Sequence, residues 1–144
     1  MKRYIALDVG DRTIGIAVSD MLGITAQGVE TIRRKSLSED LKRLGELMQS
    51  YETTALVLGW PKNMDGTEGE RCRIVKDFAE EVKKVYPDAE TFFQDERLST
   101  VAAAKALIAA DVSRKKRKKV IDKMAAVHIL QGFLDGRARI HCDL

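Results

Sequence analysis

Four acids in the sequence stand where apolar runs break off: Asp8, Asp95, Glu96 and Asp122. Asp8 closes the run Arg3-Tyr4-Ile5-Ala6-Leu7, and Asp95-Glu96 closes Glu90-Thr91-Phe92-Phe93-Gln94. Asp122 opens a stripe of apolar residues at helical spacing. A carboxylate at the end of a core strand needs a partner, because burying an unpaired charge is expensive. Taken singly, Asp8 would read as a turn residue and Asp122 as a first-turn acid complementing a helix dipole. Taken together they make a hard-oxygen donor set suited to Mg²⁺ or Mn²⁺. Two such ions about 4 Å apart can activate a water and stabilise the leaving oxygen of a phosphodiester.

Other chemistries find less support. His128 and His141 are the only histidines, so no zinc-type cluster exists. Ser19 and Ser99 have no nearby histidine to activate them, and there is no Walker-type loop. Aromatic residues make up only 6% of the chain, against a sugar-binding cleft. The most strongly charged stretch is Arg114-Lys115-Lys116-Arg117-Lys118-Lys119, just ahead of Asp122. Such runs are commonly solvated faces. Beside a set of carboxylates, this one would let a polyanion approach through phosphate contacts and counterion release. Lys62 and Arg97 fall at the ends of strands on the same side.

The elements that must position these residues follow from periodicity. Residues 3–8 and 14–18 predict two strands joined by the turn Val9-Gly10-Asp11-Arg12-Thr13, with a third strand at 28–33. Leu41, Leu44, Leu47 and Met48 predict a helix over 38–50 with Ser38 as its cap. Thr54–Leu58, ending in Gly59, reads as a strand covered on both faces. A polar loop over 60–67 leads to a helix at 68–85, with Ile74, Val75, Phe78, Val82 and Val85 inward. A fifth strand is expected at 90–94, an alanine-rich helix from Ser99 or Thr100 to Ala110, and a last helix at 119–135. In that helix Asp122 shares its stripe with Ala125, Ala126, Ile129, Leu130 and Phe133.

Hairpins followed by helical crossovers imply an α/β fold, a mixed five-stranded sheet flanked by helices. Right-handed crossovers would make the fourth and fifth strands parallel to the first. Their C-terminal ends then share one edge, where ligands usually sit in such sheets. Asp8, Gly59 and Asp95-Glu96 would meet there.

At 144 residues the chain is expected to form one domain with a substantial core. Net charge is only +3, so charge distribution is more informative than the total. Cys72 and Cys142 have no metal-type spacing and suggest a reducing compartment. With neither a signal-like start nor a membrane-length apolar segment, the expectation is a soluble cytoplasmic protein.

Five stretches together resemble the YqgF (RuvX) family: Ala6-Leu7-Asp8-Val9-Gly10, Ile14 to Asp20, Gly59 to Thr67, Asp95 to Thr100, and Asp122-Lys123-Met124-Ala125-Ala126. Each is weak alone, but five in order across nearly the whole chain are specific. The resemblance implies a ribonuclease H-like fold related to the RuvC resolvase. It also implies a metal-dependent nuclease that trims the 5′ end of precursor 16S rRNA, with Holliday junction resolution as the older assignment. By that resemblance Asp8 is the first-strand acid that bridges the metals, Asp95 or Glu96 supplies the second ligand, and Asp122 the third. Neighbours on a strand face opposite sides, so one of Asp95 and Glu96 reaches the metal, and Glu96 is preferred. Trp60 and Lys62 depart from a pattern that is often aliphatic or variable there.

Two other classes compete. Asp8-Val9-Gly10 with Ile14-Gly15-Ile16-Ala17 also resembles the first phosphate loop of actin-like ATPases, but 144 residues leave no room for their second lobe. A nucleic-acid-binding module without catalysis would use the basic run alone. Nothing in the sequence marks a dimer interface, so a monomer or weak homodimer is expected.

Overall fold

A computed structural model describes residues 3–61, 68–95 and 124–136. Lys62, Glu96, Arg97, the alanine-rich segment, the basic run and Asp122 lie outside the described residues. The strands β1 (Ile5–Val9) and β2 (Thr13–Ser19) form the expected hairpin, with Asp8 opposite Gly15. The turn is tight: the Gly10 amide donates to the Thr13 carbonyl at 2.9 Å. A Cβ on Gly10 would stand 3.1 Å from that oxygen, which favours glycine there. Asp8 is thus the penultimate residue of β1 rather than its end, because pairing continues through Val9 and Ile14.

The next strand, β3 (Ala26–Arg33), begins two residues earlier than periodicity indicates. Its turn is held by Asp20, whose carboxylate accepts from the amides of Ile24 at 2.8 Å and Thr25 at 3.3 Å. The Ile24 hydrogen bond, stronger in effect than the turn's slight desolvation, holds that carboxyl below its ordinary value.

The first helix, α1 (Leu37–Ser50), is capped by Ser36 and not Ser38. The Ser36 hydroxyl accepts from the Glu39 amide at 3.3 Å, so the helix starts one residue ahead of the expected start. The strand β4 (Ala55–Trp60) runs on to Trp60, since Trp60 still pairs with Asp95 of β5 (Glu90–Asp95). Between them α2 (Glu70–Val85) buries Cys72, Val75, Phe78, Ala79 and Val82. Val85, expected inward, is 51% exposed at the helix's last position, where the stripe has turned away from the sheet. Residues 124–136 form a further helix, α3.

The sheet order is β3-β2-β1-β4-β5, with β4 and β5 parallel to β1 as the crossovers require. Strand alternation splits the interior into two cores. Ile5, Leu7, Val9, Ile14, Ile16, Leu56 and Leu58 pack under α1 and α2. Tyr4, Ala6, Ala17, Ala55 and Val57 pack under Ala125, Ala126, Ile129 and Leu130 of α3. The small residues on this second face let the helix approach closely. Burying each large aliphatic side chain contributes about 1.5–3 kcal/mol. Among the described residues no helix is long and apolar enough to cross a membrane.

Candidate active site

Asp8 sits on the central strand and is only 7% exposed. Alternation along β1 gives Tyr4, Ala6 and Asp8 one face and Ile5, Leu7 and Val9 the other. The carboxylate therefore belongs to the α3 side of the sheet. Its neighbour on β2 is Gly15, which in turn pairs with Thr31 of β3. On β4 the last rung is Leu7 with Leu58, and one residue farther comes Gly59, which pairs with Gln94. A row across the sheet reads Thr31, Gly15, Asp8, Gly59, Gln94. With glycine on both adjacent strands, no side chain from either occupies the face beside the carboxylate. The carboxylate itself is a donor of the hard-oxygen type.

The direction of α3 bears on Asp122. Phe133 rests edge-on against Tyr4, with ring centroids 5.2 Å apart. Gln131 donates to the Ile24 carbonyl at 2.8 Å and accepts from the Ala26 amide at 3.0 Å. The later half of the helix is therefore fixed at the Tyr4 end of β1, beside the β2–β3 turn. Ala125, Ala126 and Ile129 continue across Ala6, Ala17 and Val57. Residue 124 is about 14 Å of helix rise from Phe133 at about 1.5 Å per residue. Asp8 is about 13 Å along the strand from Tyr4 at about 3.3 Å per residue. The described start of α3 thus lies toward the Asp8 end, on Asp8's face.

The register of the fifth strand sets the side of Asp95. Val57 pairs with Phe92, and both belong to the core under α3. Trp60 pairs with Asp95 and is packed against the opposite core. Asp95 consequently falls on the α2 face, away from the side that carries Asp8. Among the described residues no group of three or more potential metal ligands comes together; of the expected set only Asp8 and Asp95 are described, and they lie on opposite faces.

One element of the site escaped sequence reasoning. Arg34 follows β3, and its guanidinium bonds the buried Asp40 carboxylate at 3.0 Å and the Gly10 carbonyl at 2.8 Å. It also lies 5.4 Å from the centroid of the Phe78 ring. The turn that follows Asp8 is therefore braced by an ion pair from α1. Asp40 reads in sequence as an ordinary first-turn acid on α1, and no spacing rule joins it to Arg34 and Gly10.

Comparison with known proteins agrees with this architecture. The family described as RuvX, Holliday junction resolvase, matches residues 2–136. A relative from Heliobacterium modesticaldum, named "Putative pre-16S rRNA nuclease", is 52% identical over 138 residues, covering 96% of this chain and 92% of its own. One of the same name from Clostridium tetani is 52% identical over 133 residues, covering 92% and 96%. Among solved structures, Thermus thermophilus RuvC in complex with a Holliday junction superposes with TM-score 0.59 at 10% identity, covering 96% of this chain and 97% of RuvC. The fowlpox virus Holliday junction resolvase gives TM-score 0.53 at 9% identity, covering 93% and 99%. At those identities the likeness is one of fold, and the fold is the ribonuclease H-like one of the RuvC resolvases. With its mixed sheet, its central-strand acid and relatives alike over almost their entire length, the chain belongs to the RuvX family.

Proposed function

We propose that this chain is a metal-dependent nuclease that hydrolyses phosphodiester bonds in structured nucleic acid, and that its substrate is the 5′ end of precursor 16S rRNA. The observation that carries the reading is Asp8, buried on the central strand between Gly15 and Gly59, on the face that α3 approaches. Two relatives, each 52% identical over almost the full chain, bear the name of a pre-16S rRNA nuclease.

Asp8, Glu96 and Asp122 would hold Mg²⁺ or Mn²⁺, in keeping with carboxylate donors. Strand alternation favours Glu96 over Asp95, because Asp95 belongs to the other face. Bound there, a pair of such ions supplies an activated water and offsets charge on the leaving oxygen. The chain itself contributes a carboxylate on a strand hydrogen-bonded on both sides, followed by a turn that Arg34 fastens through the Gly10 carbonyl. Lys62, Arg97 and the run from Arg114 through Lys118 would hold the substrate backbone by phosphate contacts, without reading sequence.

Holliday junction cleavage is the second reading, favoured by the family's own description. It requires two active sites at a set spacing, hence a symmetric dimer. A monomer or weak homodimer acting on rRNA in the cytoplasm needs no such partner. Incubation of the purified chain with precursor 16S rRNA tests the reading. Shortened 5′ ends in Mg²⁺ or Mn²⁺, and intact RNA after chelation, are expected. Cleavage that continues in chelator would reject the metal-dependent site.

A further inference from the structure

On the α2 side of the same sheet edge lies a cleft of about 510 Å³, lined by Trp60, Glu68, Gly69, Glu70, Arg73 and Lys76, with Cys72 beneath. Trp60 ends β4, and α2 begins at Glu70, so the cleft opens at the C-terminal ends of the parallel strands. Asp8 is level with Gly59, and Trp60 is one residue farther along the adjacent strand. Their Cα atoms are thus about 6 Å apart, from strand rise and strand spacing. The two side chains leave the sheet on opposite faces, one toward α3 and one toward α2.

The chemistry of the cleft has three parts. Trp60 gives it an aromatic wall, steadied edge-on by Phe93 with ring centroids 4.9 Å apart. Phe93 itself is 47% exposed, while Trp60 is partly buried against the core under α1 and α2. Arg73 and Lys76 stand one helical turn apart on α2, and neither is in an ion pair among the described residues. Glu68 and Glu70 bring carboxylates that can accept hydrogen bonds from the N–H groups of a ligand. A flat aromatic face, two cations and acceptors together suit a nucleotide: stacking for the base, acceptors for its edge, cations for its phosphate. A base that stacks on Trp60 must be unpaired, and the volume, within the range of about 300–1,000 Å³ typical of small-ligand sites, is enough for one nucleotide.

We propose that this cleft is a nucleotide subsite, in which one unpaired base of the substrate, a neighbour of the cleaved phosphodiester, stacks on Trp60 while Arg73 and Lys76 hold its phosphate. The proposal rests on the nuclease reading and adds that the substrate must offer a single-stranded nucleotide beside the cut. It also gives Trp60 a purpose that an aliphatic residue at this position could not serve.

Trp60 is the only tryptophan in the chain, so its fluorescence reports on the cleft alone. The full chain is titrated with a ten-nucleotide oligouridylate and, separately, with a blunt RNA duplex of equal length. Saturable quenching by the oligouridylate and little by the duplex are expected. The double variant Arg73→Ala/Lys76→Ala should weaken oligouridylate binding about tenfold. By filter binding, Trp60→Leu should lose about tenfold while Trp60→Phe stays near wild type, in keeping with the strength of base–aromatic stacking. Absent quenching, equal quenching by duplex, or wild-type affinity in Trp60→Leu would overturn the subsite. Precursor rRNA cleavage by the same preparations keeps the two readings apart. Cleavage without quenching rejects the subsite and leaves the nuclease standing, whereas failure of cleavage under every metal rejects the nuclease.

Discussion

Asp8 and Arg34 show two different routes by which a charge becomes tolerable inside this fold. Asp8 lies where both neighbouring strands present glycine, so no side chain from either strand crowds its carboxylate. Arg34 satisfies Asp40, which is only 2% exposed, and fastens the Gly10 carbonyl immediately after β1. Replacing Arg34 by Ala would leave Asp40 buried without its cation, at a cost of about 3 kcal/mol. It would also release the turn behind Asp8, so cleavage should fall along with stability. Urea unfolding checks this, and a loss below about 0.5 kcal/mol, the value of an exposed pair, would contradict it. A paired change of Arg34→Met with Asp40→Leu should recover most of the stability, because no orphaned charge remains. The role of Asp8 could be read from residue type and position. The Arg34–Asp40 pair could not, because it depends on how the segment after β3 folds back over the first turn.

Elements were legible where periodicity was strong and uncertain where two residues competed for one task. The stripes of α1 and α2 announce themselves, yet Ser36 and Ser38 are equally good caps by type, and it is Ser36, in extended backbone, whose hydroxyl accepts from the Glu39 amide. The glycine that ends the apolar run made β4 look finished at Gly59, while pairing with β5 carries it to Trp60. The stripe Ala125, Ala126, Ile129, Leu130 is the one that meets the sheet, though its small residues gave no hint of which face they cover.

A second crossing could not be read at all. Tyr86, after α2, donates its hydroxyl to the Leu41 carbonyl of α1 at 2.8 Å. A Cβ on Gly45 would come within 2.1 Å of that hydroxyl oxygen. Gly45 in mid-helix therefore serves the approach of Tyr86. Alanine there gains about 1 kcal/mol in helix propensity. It loses more, since displacing Tyr86 forfeits a hydrogen bond of about 1 kcal/mol and overpacking costs about 1–3 kcal/mol. Gly45→Ala should lower the urea midpoint by an amount equal to about 1–3 kcal/mol. A variant more stable than wild type would mean that Tyr86 moves aside freely.

At the scale of the molecule, the strand order gathers the ends of β1, β4 and β5 at one edge and divides that edge into two faces. The α3 face carries Asp8, and the α2 face carries the Trp60 cleft. The mixed sheet followed from hairpins and crossovers read in order, and the family followed from five short motifs spread along the chain. What those patterns did not carry was the sidedness of each strand's last residues, which assigns Asp95 to the face away from Asp8. Substrate retention belongs to this scale too. Replacing Lys115, Lys116 and Arg117 by Ala should weaken RNA binding and flatten its dependence on salt by about 0.7 in log–log slope per lost contact to a single strand. An unchanged slope, measured by filter binding across KCl concentrations, would remove the basic run from the binding surface.

The central claim is that Asp8 belongs to a metal-dependent nuclease centre acting on precursor 16S rRNA. Its most direct test is to compare cleavage of that RNA and of a four-way DNA junction by wild type and by Asp8→Asn in Mg²⁺ or Mn²⁺. The account predicts that wild type shortens the rRNA 5′ end in preference to the junction, and that Asp8→Asn, folded as judged by circular dichroism, loses at least about a hundredfold in rate, as expected when metal-assisted catalysis is removed. Wild-type cleavage by Asp8→Asn would contradict it.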